Sequence, residues 1–347
     1  MNVDYIIVGI GLAGISFCEQ LKAHNKSFLV FDNASQQSSL VAGGLYNPVV
    51  LKRFTPVWKS QEQLPLALKQ YAELEASLGV KLDYKIPVYR KFASVEEQND
   101  WFTASDKTGL SDYMSTNLIK NKNPHIKAPY GFGEVLKSGR IDVNTLVISY
   151  KNHLLKKGLL FEENFSYEAL KTEGASLKYK NISAKYIVFA EGFGFKKNPF
   201  FGKLPISGTK GELLTINAPE LKLNAVIKSG VFLIPVGNDN YIVGATYNWN
   251  DKTHEVSEAA RKFLLEKLDT LMSCSYKIID QVAGIRPTVK DRRPLVGEHH
   301  LLKSHYILNG LGTRGVMIGP YVAEKLFQCI ENKVPLEKEI DCNRFDY

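Results

Sequence analysis

The chain has 347 residues, of which 44% are hydrophobic and 23% are charged, and its formal net charge is +8. This length is sufficient for a large core and predicts two domains. The composition excludes a disordered or fibrous protein. No apolar stretch is long enough to cross a bilayer. The apolar run at 5–8 leads directly into glycines, so we expect no secretion signal and a cytoplasmic protein.

The four cysteines, Cys18, Cys274, Cys329 and Cys342, lack the close spacing of a metal-binding motif. We therefore expect reduced thiols and no structural metal. The positive net charge fits lysines dispersed over a solvated surface, and it also fits a polyanionic partner such as RNA. The first interpretation is the simpler one, because the lysines form only small clusters along the chain.

Hydrophobic periodicity predicts alternating strands and helices. The predicted strands are 5–8, 27–31, 176–179, 184–190, 211–216, 230–235, 241–245 and 306–308. The predicted helices are 15–24, 58–78, 142–156, 257–271 and 319–332. Strand–helix units lie at both ends and in the middle of the chain, with strand-rich insertions between them. This order predicts two interleaved domains rather than two in tandem.

A glycine motif separates the first predicted strand from the first predicted helix. Gly9 makes a tight turn, Gly11 lets the backbone approach a pyrophosphate, and Gly14 lets helix and strand pack closely. The helix N-terminus offers free N–H groups and partial positive charge to the phosphates. Asp32 ends the second strand, where its carboxylate can accept hydrogen bonds from a ribose. The pattern predicts a dinucleotide site, the alternative being a glycine-rich turn.

Three further segments, 41–48, 186–192 and 309–320, resemble the D-amino acid oxidase superfamily of FAD-dependent enzymes, and its glycine oxidase-like branch in particular. The resemblance implies an α/β fold in which a Rossmann-like FAD-binding domain is interleaved with an α+β substrate domain dominated by an antiparallel sheet. It implies FAD as the cofactor. It assigns residues 1–84, 138–205 and 283–347 to the FAD-binding domain, and residues 85–137 and 206–282 to the substrate domain.

The same three segments carry the implied cofactor contacts. In the family, the first passes beside the flavin ring, the second closes the nucleotide site, and the third feeds a helix whose N-terminus stabilises negative charge on the reduced flavin. Beyond Gly9, Gly11, Gly14 and Asp32, the implied FAD-binding residues are Ala42, Gly43, Gly44, Ala190, Gly192, Gly312, Thr313, Arg314, Gly315, Val316 and Met317.

Arg286 lies in a late motif, 284–297, which also resembles the family. By this resemblance Arg286 holds the substrate carboxylate over the flavin, and a guanidinium suits that role because it binds a carboxylate bidentately. Hydride transfer from an amine to flavin N5 then requires orientation and a dry site. The alternative is a structural arginine that pairs with Asp280 or Asp291.

The chain also departs from the family pattern. Phe232 stands where glycine oxidase-like members usually have Tyr, and Tyr247 is either its substitute or an ordinary strand aromatic. Gly284 stands near the position where flavin-linked sarcosine oxidases have Cys, so we expect non-covalent FAD. Arg314 is unusual beside a flavin, and it could contact the cofactor, a second substrate carboxylate or a phosphate. The candidate catalytic residues are therefore Arg286, Tyr247 and Arg314.

Three functions remain open. The first is oxidation of the C–N bond of a glycine-like amino acid, a D-amino acid or an N-substituted glycine. The second is oxidation of the carboxymethylamino group of a wobble uridine in tRNA, because 44–48 and 312–315 also resemble the oxidase module of the bifunctional enzyme that completes 5-methylaminomethyluridine. The third is FAD binding without turnover, which the arginine and the flavin loops disfavour.

Overall fold

The computed structural model describes residues 1–174 and 176–347. Its helices are α1 (Leu12–Ala23), α2 (Ser60–Leu78), α3 (Val95–Ser105), α4 (Val143–Lys156), α5 (Glu258–Asp269) and α6 (Gly315–Asn332). Its strands are β1 (Asn2–Val8), β2 (Phe28–Phe31), β3 (Leu45–Tyr46), β4 (Val49–Val50), β5 (Thr55–Pro56), β6 (Asp83–Tyr84), β7 (Val88–Lys91), β8 (Phe132–Val135), β9 (Gly139–Ile141), β10 (Leu160–Phe161), β11 (Leu170–Glu173), β12 (Ser176–Tyr179), β13 (Ile182–Phe189), β14 (Ile206–Asn217), β15 (Val226–Lys228), β16 (Phe232–Gly237), β17 (Asn240–Gly244), β18 (Lys277–Val289), β19 (Leu295–Glu298) and β20 (His305–Asn309).

The first large sheet has a parallel centre. Strands β10, β2, β1, β13 and β20 run parallel in that order, and β12 and β19 add antiparallel neighbours. The central strands are buried on both faces, as in other parallel sheets that carry helices. Helices α1 and α6 pack against each other, and α6 also contacts α2. The carboxyl ends of β1 and β2 therefore meet at one edge, where ligands of such sheets bind.

The second large sheet is mostly antiparallel, with the order β18-β14-β17-β16-β15-β7-β8 and one parallel pair, β15 with β7. Alternate residues point to opposite faces. Leu214, Leu233 and Val243 belong to the apolar cluster that includes Leu264 and Leu268 of α5. The opposite face of the same strands remains available to form the wall of a site.

This architecture confirms the predicted α/β fold, with a Rossmann-like sheet and a mainly antiparallel second sheet. The domain boundaries stay a prediction. Several details of the secondary structure differ from the expectation. Helix α6 begins at Gly315 rather than at residue 319, because the glycine-rich turn ends at Arg314 and the apolar run 315–318 already has helical backbone. Helix α3 and strand β18 were not predicted at all.

The failure to predict α3 and β18 has a physical cause in each case. Ser94 caps α3 by accepting a hydrogen bond from the Glu97 backbone N–H, but the polar composition of this helix weakens its periodic signal. Strand β18 begins with exposed residues and contains Gly284 and Pro287, and both residue types are unusual inside a strand. The twelve paired positions with β14 outweigh that intrinsic preference.

Within the described ranges, the chain has no helix that is both long and apolar enough to span a membrane. The same ranges contain no group of three or more His, Cys, Asp or Glu side chains that could hold a metal ion. All four cysteines are free thiols, and Cys18, Cys274 and Cys342 are buried.

Candidate active site

A cavity of about 1320 Å³ extends from the carboxyl edge of the parallel sheet to the open face of the antiparallel sheet. Fifteen of the predicted site residues line it: Gly9, Gly11, Asp32, Ala42, Gly43, Gly44, Ala190, Gly192, Tyr247, Arg286, Gly312, Thr313, Arg314, Gly315 and Val316. The other two, Gly14 and Met317, lie behind this wall. Met317 is buried in the core around α6, so its side chain supports the helix rather than facing the cavity.

The glycines of the nucleotide end are required by close backbone contacts. A Cβ on Gly9 would lie 2.5 Å from the Ala190 carbonyl oxygen, and the φ of +100° at Gly9 is unfavourable for other residues. A Cβ on Gly14 would overlap the Gly9 carbonyl. The Gly9 contact packs the turn before α1 against Ala190, the residue after β13, and the start of α1, where the Leu12 N–H donates a hydrogen bond to the Ser39 hydroxyl, lines the cavity.

Asp32 ends β2 and is fixed by several partners. One carboxylate oxygen accepts a hydrogen bond of 3.4 Å from the Ile10 backbone N–H, and the other accepts one of 3.2 Å from Ala34. Lys151 on α4 forms an ion pair with this second oxygen. The carboxylate therefore lies at the cavity wall in a fixed orientation. Sequence analysis missed Lys151, since the distance along the chain between the two residues gives no signal.

The loop 41–44 passes between the two sheets, and its small residues are needed there. Gly44 has a φ of +72°, and a Cβ on it would overlap the Ile141 carbonyl. Gly43 faces Ile234 of β16, whose Cδ1 would be 3.0 Å from an added Cβ. On β18, a Cβ on Gly284 would overlap the Val41 side chain. A cysteine side chain at position 284 therefore has no room, which supports non-covalent attachment of a flavin.

Arg286 extends from β18 across the neighbouring strand. A Cβ on Gly211 of β14 would overlap its guanidinium, so the glycine provides the path into the cavity. One guanidinium N–H donates a 3.3 Å hydrogen bond to the Thr246 carbonyl. Burial lowers the pKa of the group, and the nearby Tyr247 acts in the opposite direction.

The acids that were considered as structural partners of Arg286 are engaged elsewhere. Asp291 forms an ion pair with Arg344 at 2.8 Å, and Asp280 accepts a hydrogen bond from the Gln281 backbone N–H. Within residues 1–174 and 176–347, the Arg286 side chain makes no ion pair with a carboxylate. The guanidinium is consequently available to a ligand in the cavity.

Arg314 and Tyr247 are the other two candidate catalytic residues, and both line the same cavity as Arg286. Arg314 is the residue before α6, and its guanidinium donates a 3.2 Å hydrogen bond to the Asn47 carbonyl. Burial also lowers its pKa, again opposed by Tyr247. The Tyr247 ring stacks on the Arg286 guanidinium at 4.9 Å and is 62% exposed. The three candidate catalytic residues, which come from three separate segments, thus surround one end of the cavity.

The cavity wall carries both acidic and basic side chains. The acidic residues of its wall, Asp32, Glu163, Glu168 and Glu191, lie near the nucleotide motif. Burial raises the pKa of Glu191, while hydrogen bonds from Asn198 and Tyr167 lower it. Lys196 and Lys197 follow Glu191 in the chain and also line the cavity, and the end formed by the antiparallel sheet carries further cations and polar groups, among them three that sequence analysis missed: Lys228, Lys252 and His254. This end is suited to an anionic substrate.

An extended cavity whose glycine-lined end lies at the carboxyl edge of a parallel sheet is typical of dinucleotide-dependent oxidoreductases. The family is identified by residues 4–328, which match the DAO family, FAD dependent oxidoreductase, and the chain belongs to that family. FAD is therefore its cofactor. The residues fit it, because Gly9 and Gly11 expose backbone without side chains at the nucleotide end, and Ala42, Gly43 and Gly44 line the cavity without large side chains.

Over its full length the chain is similar to glycine oxidase of Bacillus subtilis, with 21% identity over 96% of this chain and 94% of the relative. The crystal structure of glycine oxidase from Geobacillus kaustophilus has the same fold, with a TM-score of 0.83, 18% identity and complete coverage of both chains.

A second similarity is local. The tRNA 5-methylaminomethyl-2-thiouridine biosynthesis bifunctional protein MnmC of Nitrosospira multiformis is 29% identical over 42% of this chain and 25% of the relative. The match therefore spans about a quarter of that bifunctional protein.

We expect Asp32→Ala to weaken FAD retention without unfolding the protein. Charge-assisted hydrogen bonds of this kind contribute about 1.5–3 kcal/mol, so about tenfold or more of FAD affinity should be lost. The measurement is flavin occupancy after extensive dialysis, with circular dichroism to verify folding. Asp106→Ala, at an exposed acid, is the control. Unchanged occupancy in Asp32→Ala would show that the acid only ends its strand.

We also expect the purified protein to be yellow and to release intact FAD on acid denaturation, because Gly284 leaves no space for a thioether link. The supernatant and the precipitate should be compared by absorbance and chromatography. Flavin that remains in the precipitate would contradict this prediction.

Proposed function

We propose that the protein oxidises the C–N bond of a glycine unit, in a glycine-like amino acid, a D-amino acid or an N-substituted glycine, with Arg286 binding the carboxylate. The observation that carries the proposal is the guanidinium of Arg286, which crosses Gly211 into the cavity and has no carboxylate partner in the described chain. An unpaired guanidinium at a partly desolvated site is a strong receptor for a carboxylate.

The reaction requires loss of a hydride from the α-carbon and loss of a proton from the nitrogen, which leaves an imine that water hydrolyses to a keto acid and an amine. FAD, when bound, supplies the acceptor for the hydride and its two electrons. Arg286 fixes the carboxylate through two hydrogen bonds and so restricts rotation of the α-carbon. Tyr247 covers the guanidinium on one side, and Leu213 and Phe232 give the cavity an apolar surface that limits water.

Replacement of Arg286 tests the proposal. Arg286→Met should lower kcat/KM at least about a hundredfold, since loss of one partner of a desolvated ion pair costs roughly 3–5 kcal/mol. Arg286→Lys should also lose most activity, because an ammonium cannot reproduce the bidentate geometry. The measurement is anaerobic flavin bleaching by glycine, N-alkyl glycines, D-amino acids and total tRNA.

Arg292→Met serves as the matched control, because Arg292 is exposed and outside the cavity wall. The flavin spectrum should stay near normal in every variant. If Arg286→Met retained near-normal turnover with each active amine, the carboxylate anchor would be wrong and a simple amine or alcohol would become the better substrate.

A second candidate is oxidation of the same glycine unit when it is attached to a wobble uridine in tRNA. Two observations favour it besides the local match to MnmC. Tyr247 and Trp249 expose 62% and 53% of their surface on the loop that also carries the wall residue Lys252. Exposed aromatic rings beside cations are typical of surfaces that stack unpaired bases. The net charge of +8 also suits a polyanion.

Arg314→Ala distinguishes the two candidates. With a tRNA substrate, the variant should lose far more kcat/KM on tRNA than on glycine, because Arg314 would contact a group that free glycine lacks. Single-turnover flavin bleaching with each substrate provides the measurement. An equal loss on both substrates would assign Arg314 to the cofactor instead. If no amine or tRNA bleached the bound flavin, FAD binding without turnover would be the remaining function.

A further inference from the structure

One cation at the substrate end is not used by the proposed function. Lys228 is the last residue of β15, and it pairs with Phe232 of β16. Phe232 also pairs with Gly244 of β17 on its other side. Gly244 in turn pairs with Leu213 of β14. Directly paired residues share a face of a sheet. All four line the cavity. The register of three strand pairs therefore places Lys228 in the same wall that Arg286 crosses.

Lys228 has no counter-ion. Its ammonium lies 4.4 Å from the centre of the Phe232 ring, and within the described chain it makes neither a hydrogen bond nor an ion pair. Arg90, its partner on β7, is itself paired with Glu97. Burial, followed by the charge of Arg90, lowers the pKa of Lys228 to about 8. An anion beside the ammonium would offset the free-energy cost of burying this charge without a counter-ion.

The other cations of this end differ in their engagement. The Lys252 ammonium donates hydrogen bonds to the backbone carbonyls of Gly208 and Trp249. Arg314 donates to the Asn47 carbonyl at the start of α6. Of these three cations, Lys228 is the one whose charged group contacts an aromatic ring and no hydrogen-bond acceptor in the described chain. An anionic ligand would therefore supply the partner that Lys228 lacks.

The register also sets the separation of Lys228 from Arg286. The guanidinium lies over β14 at Gly211, and the ammonium lies beside β16 at Phe232, with β17 between them. Two strand spacings of about 4.8 Å, combined with the offset of about 6.8 Å between Gly211 and Leu213 along β14, place the two charges on the order of 12 Å apart. Hydrogen bonds of about 2.8 Å at each end leave about 6 Å between the two acceptor oxygens. One carboxylate is too narrow for this gap.

We propose that the substrate is an N-substituted glycine with a second acidic group on its nitrogen substituent, and that Lys228 binds this second group while Arg286 binds the first. The inference rests on the proposed function. Two carboxylates joined through CH2–N–CH2 match the gap, and the reacting nitrogen then lies between the two cations. Leu213 and Phe232 provide an apolar surface for the connecting atoms. Lys228 is thus a specificity-determining residue.

The unmodified protein gives the first test. Iminodiacetate and N-propylglycine have nearly the same size, but only iminodiacetate carries the second acid. We expect kcat/KM for iminodiacetate to be at least about tenfold higher, as measured by flavin bleaching, because a charge-assisted hydrogen bond is added. Equal values for the two compounds, or a preference for N-propylglycine, would overturn the proposal.

Variants give the second test. Lys228→Met should lower the iminodiacetate to N-propylglycine ratio at least about tenfold, and Lys228→Arg should restore part of it because the positive charge returns. Lys267→Met is the matched control, since Lys267 is exposed near the same sheet and does not line the cavity. An unchanged ratio in Lys228→Met would contradict the assignment.

A binding measurement separates this proposal from the proposed function. Thiodiglycolate has both acids but no amine, so it should bind without reaction, and its Kd from the flavin absorbance change should rise about tenfold in Lys228→Met. Failure of all amines to bleach the flavin, with thiodiglycolate binding intact, would refute the reaction and not the subsite. Bleaching by tRNA alone, with a Lys228→Met defect on tRNA, would assign Lys228 to a phosphate and refute the diacid.

Discussion

A buried positive charge without a counter-ion costs free energy, and the substrate end of this protein is arranged around such a charge. The Arg286 guanidinium enters the cavity over a glycine and satisfies one N–H on a backbone carbonyl. Within the described residues, the guanidinium donates no other hydrogen bond. Tyr247 stacks on it, which stabilises the cation without neutralising it. In the part of the chain that the structure describes, no carboxylate neutralises this cation, so the protein itself does not offset the cost of its burial.

The two sheets contribute different groups to the cavity wall. The parallel sheet presents backbone N–H groups and Asp32 to a nucleotide, and its glycines bring backbone segments closer than any side chain would allow. The antiparallel sheet presents alternate side chains, one set to α5 and the other to the cavity. The cavity lies between these two surfaces. Neither sheet alone could provide both surfaces.

Parts of this arrangement could be predicted from sequence. The Gly9–Gly14 motif and Asp32 lie close together in the chain, and their spacing encodes a local structure, so the order of strand, turn and helix was predicted correctly, although α1 begins at Leu12 and not at residue 15. The family resemblance indicated Arg286, and departures from the family pattern singled out Tyr247 and Arg314. The structure brings these three residues together at one end of the cavity. The start of α6 was misplaced by four residues, because glycines in a turn and in a first helical turn look alike.

Other parts depend on long-range pairing, which leaves no local pattern. Strand β18 contains Gly284 and Pro287 and is a strand only because β14 pairs with it along its length. Lys228 and Lys151 look like ordinary surface lysines in the sequence, and their positions follow from strand register in one case and helix packing in the other. Gly211 was predicted only as the first residue of a strand, although it determines where the side chain of Arg286 can go.

That contact between Gly211 and Arg286 has a consequence for how related proteins can diverge. The two residues are far apart in the chain, yet the space above one is filled by the side chain of the other. A lineage that exchanged the arginine for a shorter residue would inherit a void above β14, and an alanine at position 211 would fill part of it. A lineage that kept the arginine could not accept that alanine. The two positions should therefore change as a pair, and the residue at 211 records which kind of substrate group the neighbouring strand was built to bind.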